Sequence, residues 1–325
     1  MAFRSSLSTS LRVSIPLAVD LQPTKDAPTL WLSRISATRS REVDAVELGR
    51  IKQLYATIPT RDGSDVSYPR AGPSHGMSLQ SGHHLALFPP LGPLSTLNPD
   101  GTDSTWSSPP PFARRMWAGG RFEFVLTNEL RVGEDVTCDI SIEKVDVKQK
   151  DTPASKVFVH QKREISNGRG VAVVERRTHV FMPPALGKHK PSSIVNLPPD
   201  KQKADFSLMF VPSRATLFRF SAITFNAHRI HLDPEFSRNV EGHADCLVHG
   251  PLTALLLLDI LNLNLSPLQF VKSFEYRATH PLFVERPLSL NGAWEKDQTE
   301  ARLWASDDEG RIGMTARAEV VPKIN

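Results

Sequence analysis

Four of the eleven histidines in this chain fall between Phe218 and Leu258, in FRFSAITFNAHRIHLDPEFSRNVEGHADCLVHGPLTALLLL, which runs straight into a strongly apolar helix pattern. Histidine is the side chain suited to moving protons near neutral pH. Of the four, His228 and His231 sit three residues apart, with Asn226 just before them, and His249-Gly250-Pro251 stands at the start of the apolar helix. A helix start presents free backbone N–H groups and the positive end of the dipole, which favour developing negative charge. One segment thus offers a base and an oxyanion site. Plainer explanations stand beside these: His231 as a histidine in a surface turn, and Asn226 as a turn residue bonded to its own backbone. His228, His231 and Asp233 fall short of a metal site, which shows further convergent ligands at recognisable spacing, so no metal is expected. Asp233 before Pro234 reads as a turn or cap residue.

Elements must position these groups. EVDAVELGRIKQLYATIP reads as a short amphipathic helix, with Val43, Val46, Ile51, Leu54 and Tyr55 sharing a face and Pro59 ending it. From Thr60 to Pro111 the chain is rich in Pro, Gly, Ser and Asp and reads as a long loop broken by HHLALF. RFEFVLT, VTCDISIEKVDVKQ, KVFVHQKREIS and GVAVVERRTHVFM alternate apolar and polar residues and predict an antiparallel meander. A Pro-, Lys- and Ser-rich stretch over 183–205 reads as a linker. Beyond it come a strand at Phe218 to Ile223, the histidine segment, a helix from about Pro251 to Leu263, and strands through QFVKSFEYRATHPL, PLSLNGAWEKDQ, EARLWASD and RIGMTARAEVVP. A long apolar helix followed by an antiparallel sheet implies an α+β layer in which the sheet curls around the helix, the hotdog arrangement.

Composition limits the partners. A net charge of +4 from 39 basic and 35 acidic residues gives no basic stripe, so nucleic acid is not expected. No apolar run is long enough to span a bilayer, TALLLLDILNLNL being interrupted by Asp259, Asn262 and Asn264. Cys138 and Cys246 show no ligand spacing and read as free packing thiols. The first nineteen residues hold Arg4, Arg12, five serines and no acid, which suits a mitochondrial transit peptide, the alternative being an unaddressed terminus.

NAHRIHLDP, followed after fourteen residues by HGPL, resembles the hydratase 2 (MaoC-like) dehydratases. Upstream, HHLALFPP, PFARRMWAGGRFEF and LRVGEDV resemble their subgroup of hydroxyacyl-thioester dehydratases type 2, and the resemblance spans roughly residues 45 to 320. It implies a double hotdog: a leader over 1–40, an N-terminal hotdog over 41–182, the linker over 183–205, and a C-terminal hotdog over 206–325 carrying the reactive residues. His231 falls on the family's catalytic His. Asn226 stands where many members carry Asp, and His228 where they carry Asn, so a mechanism with two titrating groups does not transfer directly.

The resemblance implies a lyase that needs no cofactor and interconverts (3R)-hydroxyacyl and trans-2-enoyl thioesters, on acyl carrier protein in mitochondrial fatty acid synthesis. Two alternatives stand beside it. One is hydration of short branched or dicarboxylic enoyl-CoA thioesters of the mesaconyl type; the other is a hotdog that binds acyl thioesters without converting them. In the enzymatic readings His231 takes the C2 proton, Asn226 holds the departing hydroxyl, and Gly250 N–H faces the thioester oxygen. His228, His249, Arg115 and Trp117 are candidates for contact with substrate, Arg115 through a carrier phosphate. Trp117 also reads as a core aromatic, and Gly119-Gly120 as a turn into a strand. Exposed sheet edges make a homodimer the expected assembly, although fused hotdogs permit a monomer.

Overall fold

The computed structural model describes residues 27–64, 72–150, 152, 155–184 and 203–323. The leader and linker expected over 1–40 and 183–205 lie largely outside the described residues. The chain opens with helix α1 (Ala27–Ser36), whose Trp31 and Ile35 pack on Phe112, Ile142, Val157, Val159 and Phe181. Strand β1 (Arg39–Ala45) and helix α2 (Leu48–Tyr55) follow. The single helix expected over 42–59 is therefore split. Val43 pairs with Thr137 on a strand and is 75% exposed, whereas Ile51, Leu54 and Tyr55 are buried from the helix. Apolar spacing alone could not separate the two, because pairing with a distant strand captured the first part of the pattern.

After an irregular stretch with three short 3-10 turns come β2 (Arg114–Phe124), β3 (Asp135–Lys148), β4 (Lys156–Asn167) and β5 (Gly170–Met182). The second half consists of β6 (Phe206–Phe210), α3 (Arg214–Ile223), α4 (Arg229–Leu232), α5 (Pro234–Asn239), α6 (Gly250–Leu263), β7 (Gln269–Ala278), β8 (Leu288–Glu295), β9 (Glu300–Ser306) and β10 (Ile312–Pro322).

The strand expected at Phe218 to Ile223 is helix α3. Ser213 and Thr216 form a reciprocal capping box at its start, and Leu217, Phe220 and Ser221 are buried at i, i+3 and i+4, leaving Phe218 exposed. The strand that opens this half is β6, a short run that the sequence reading assigned to no element.

Among the described residues, all ten strands form one antiparallel sheet in the order β1-β3-β4-β5-β2-β7-β10-β9-β8-β6. The two halves join through β2 and β7, where Phe122 lies opposite Phe274 and the rings stack at 5.8 Å. Helix α6 is buried from Leu252 to Leu261, wrapped by the second half of the sheet and touching β2 of the first. Its apolar circumference fits that wrapping. Asp259, fully buried in the middle of α6, is held by Arg61 Nη2 at 2.6 Å, His83 Nε2 at 3.0 Å and the Thr60 hydroxyl. This network ties α6 to the loop after α2, and the architecture is a double hotdog. The first half's helix, α2, is much shorter than α6, and the sheet face it leaves uncovered becomes a cavity wall.

Candidate active site

The turn after α3 places the reactive segment. Phe225 takes a positive φ of 50°, unusual for an aromatic residue, and Asn226 N–H then donates to Ser221 O at 2.8 Å. Asn226 Oδ1 accepts from His228 N–H at 3.0 Å, so the side-chain amide fixes the start of α4 and leaves Nδ2 as a donor. His231 follows on the single turn of α4, which Asp233 separates from α5 by capping the N–H of Phe236 at 3.0 Å. Asp233 is thus the cap residue expected.

His231 Nδ1 lies 2.8 Å from the carbonyl oxygen of Leu247. A carbonyl only accepts, so Nδ1 carries the hydrogen and Nε2 is left with a free lone pair. Burial pulls this imidazole down to about 4, against the opposing pull of the Leu247 hydrogen bond, so it is neutral at physiological pH. A neutral imidazole with an open Nε2 can accept a proton.

His249 stacks on His231 with ring centroids 3.7 Å apart and planes 20° from parallel. Phe220 packs on it at 5.0 Å, and its Nε2 meets the Ser221 hydroxyl at 2.9 Å. It is fully buried and does not reach the cavity wall, which corrects its assignment as a substrate contact. Three neighbours already enclose its ring, so it acts on the site by fixing the plane of His231. His228 does line the cavity. Its ring stands 5.7 Å from that of His231 at 86°, Nε2 is 3.7 Å from Asp100 Oδ2, and burial lowers it well below the ordinary histidine range.

Gly250 is the first residue of α6, followed by Pro251, and its N–H faces no acceptor among the described residues. A Cβ on Gly250 would come within 3.2 Å of the Trp117 side chain, so the glycine is set by the close approach of β2 to the helix start. Trp117 donates from Nε1 to Tyr276 Oη at 2.9 Å and meets His179 edge-on at 5.2 Å. It packs against the core, as expected of this aromatic, and forms a fixed part of the cavity wall.

Arg115, two residues earlier on the same strand face, also lines the cavity. Arg114 does not: it is buried against Glu241, Nε to Oε2 2.5 Å.

The cavity has a volume of about 1440 Å³. Asn226, His228, His231, Gly250, Arg115 and Trp117 all line it, and it extends over the open face of the first half's sheet to Arg39 and Lys156. Exposed Leu91, Leu94, Phe218, Phe225 and Leu232 give it an apolar rim. Volume and lining suit an acyl chain with a long carrier arm. No cluster of three or more metal-ligating side chains exists among the described residues.

Sequence reasoning missed the loop Asn98–Thr102, which docks on the reactive segment. Gly101 has φ 82° and lies so near Ala227 that a Cβ would fall 2.0 Å from its carbonyl oxygen, while Asp100 O accepts from Arg229 N–H at 2.8 Å. Asn-Pro-Asp-Gly announces a turn but not what the turn covers. Also missed were Tyr276, Ser221 and the pair of fully buried Glu175 with Arg177, whose guanidinium lies over the Trp117 ring on the cavity wall.

Residues 82–284 match the family described as hydroxyacyl-thioester dehydratase type 2. A mesaconyl-C(4)-CoA hydratase from Chloroflexus aurantiacus is 31% identical over 89% of this chain and 98% of its own length. The mitochondrial hydroxyacyl-thioester dehydratase type 2 of Schizosaccharomyces pombe is 26% identical over 66% of this chain and 77% of its own. Among solved structures, the MaoC-like dehydratase from Phytophthora capsici superposes with a TM-score of 0.59 at 14% identity, covering 89% of this chain and 98% of that one. HtdX of Mycobacterium tuberculosis gives 0.58 at 14% identity, covering 86% and 99%.

Proposed function

The chain belongs to the hydroxyacyl-thioester dehydratase type 2 family and is a lyase of the hydratase and dehydratase class, and we propose that it interconverts (3R)-hydroxyacyl and trans-2-enoyl thioesters with His231 as its base. The observation that carries this reading is the convergence of an open imidazole nitrogen and a free helix-start N–H on one cavity.

In dehydration, His231 Nε2 takes the C2 proton, and the charge that builds on the thioester oxygen is met by Gly250 N–H and the positive end of α6. A preorganised donor of this kind contributes roughly 3 to 4 kcal/mol to the transition state. The C3–O bond then breaks as the imidazolium returns its proton to the leaving hydroxyl, releasing water and regenerating the neutral base. Asn226 Nδ2 holds that hydroxyl in line. Because one imidazole both takes and returns the proton, Asn226 needs no titration. Hydration runs the same steps in reverse.

Two substrate assignments divide the relatives. The yeast proteins are named mitochondrial, which supports action on carrier-bound acyl groups in mitochondrial fatty acid synthesis. The bacterial hydratase matches more of this chain, which favours a CoA thioester of a short dicarboxylic acid. Incubation of the purified protein with crotonyl-CoA tests the shared reaction. Loss of the enoyl-thioester absorbance is expected; binding without turnover would replace this reading with a non-catalytic one.

A further inference from the structure

The arginines enclosed around the cavity come with carboxylates, with one exception. Arg50 Nη1 lies 2.5 Å from Asp44, Arg163 Nη2 2.9 Å from Glu42, and Arg177 Nη2 2.9 Å from Glu175. Even Arg114, facing away from the cavity, has Glu241. Arg115 makes no hydrogen bond or ion pair with any described residue. Asp100 and Asp103 act on it only at longer range, and each already accepts from its own loop, Asp100 from Thr102 and Asp103 from Thr105.

Protein surrounds the guanidinium closely, and the surface it keeps opens on the cavity interior. A guanidinium does not shed its proton in a protein, so this is a permanent cation in a partly dehydrated chamber. Leaving such a charge without a hydrogen-bonded counter-charge is costly. Its place in the chamber follows from its neighbours. On β2 it shares a face with Trp117, about 7 Å further along the strand, and Trp117 abuts Gly250. Its charge acts on His228 and on His179, the residue opposite Trp117.

We propose that Arg115 binds a carboxylate carried by the acyl group, so that the preferred substrate is the monothioester of a short dicarboxylic acid; this rests on the hydratase reading above. With the thioester oxygen at Gly250 and C3 near His231, a carboxylate on or next to C3 lies beside His228, within reach of the guanidinium. The carrier's phosphate is the other anion available, but it sits at the far end of the pantetheine arm from the thioester. The exposed Arg39 and Arg277 on the cavity wall suit that end better.

Fumaryl-CoA and crotonyl-CoA differ only by a carboxylate in place of the terminal methyl, so their kcat/KM ratio reads the subsite. The wild-type ratio is expected to favour fumaryl-CoA by about 100-fold, and Arg115→Met should remove that preference, the scale seen when one partner of an enclosed charge pair is lost. Turnover of crotonyl-CoA with no preference for fumaryl-CoA overturns this assignment and leaves the reaction standing; turnover of neither overturns both. An equal loss on both substrates in Arg115→Met makes the residue structural and overturns the assignment. A variant that instead loses preference for crotonyl-CoA over crotonyl-pantetheine moves the anion to the carrier phosphate, which also overturns it. Should Arg115→Met fail to fold, calorimetry on the wild type decides with unreactive analogues: tighter binding of succinyl-CoA than of butyryl-CoA supports the subsite, and equal binding overturns it.

Discussion

His231 donates from Nδ1 to the Leu247 carbonyl while its ring lies flat on His249, so one neighbour fixes its tautomer and the other its plane. Leu247 stands three residues before Gly250, so the strap that fixes the base leads directly into the helix start that would meet the oxyanion. The proposed base and the proposed oxyanion donor are thereby held in register by a single short segment.

The histidines make both activity and stability acid-sensitive. Burial holds His231 and His84 down at about 4, and lowers His179, His228 and His249 well below their ordinary value of 6.5. In the window between the folded and unfolded values the unfolded chain takes up more protons, so stability rises with pH through it and is lost as pH falls. Denaturant titrations from pH 7 to 4.5 should show a progressive loss, to which His231 and His84 each contribute on the order of 1 to 3 kcal/mol. The hydration rate should be flat around neutrality, falling only as His231 becomes protonated.

Gly250→Ala tests the close approach of β2 to α6. The added Cβ meets Trp117 at 3.2 Å, and Trp117 cannot yield freely because Tyr276 holds its indole N–H. Steady-state kinetics should show kcat lower by about 10- to 100-fold, the range that displacement of a reacting group commonly produces. Circular dichroism should show the fold retained.

Gly101→Ala probes the docked loop. At φ 82°, with the Ala227 carbonyl 2.0 Å from the new Cβ, the loop must leave the reactive segment. Thermal unfolding should register a loss of about 1 to 3 kcal/mol, as for other forced backbone conformations. Hydration activity should fall with it, since Arg229 N–H loses the Asp100 carbonyl.

Asp259→Leu would strand Arg61, buried with its Asp259 partner in the core. Removing one member of such a pair typically costs about 3 to 5 kcal/mol, which equilibrium unfolding would measure.

How much of this the sequence disclosed depended on range. The helix start at Gly250 and the cap at Asp233 were legible because local chemistry determines them: Pro in the first turn, and Asp before Pro. That His231, Asn226 and Gly250 would meet at one cavity was legible through spacing and family resemblance. Helix α3 was misread as a strand because FRFSAI alternates apolar and polar residues, while the capping box that decides for helix lies just upstream at Ser213 and Thr216. Long-range relations were not legible. Nothing near Gly101 in sequence points to Ala227, and nothing near His249 shows that its ring lies behind His231 instead of in the cavity. Arg115 could be marked as a candidate anion contact, but its lack of a carboxylate became visible only once Arg50, Arg163 and Arg177 were seen with theirs.

The base assignment is tested most directly by following C2 hydrogen exchange of 3-hydroxybutyryl-CoA in deuterated water, with wild type and His231→Ala compared by mass spectrometry. The wild type should incorporate deuterium at C2, and the variant, whose melting temperature should stay near that of the wild type, should be slower by about 10² to 10⁴-fold. Exchange at an undiminished rate in His231→Ala would contradict the assignment of that imidazole as the base.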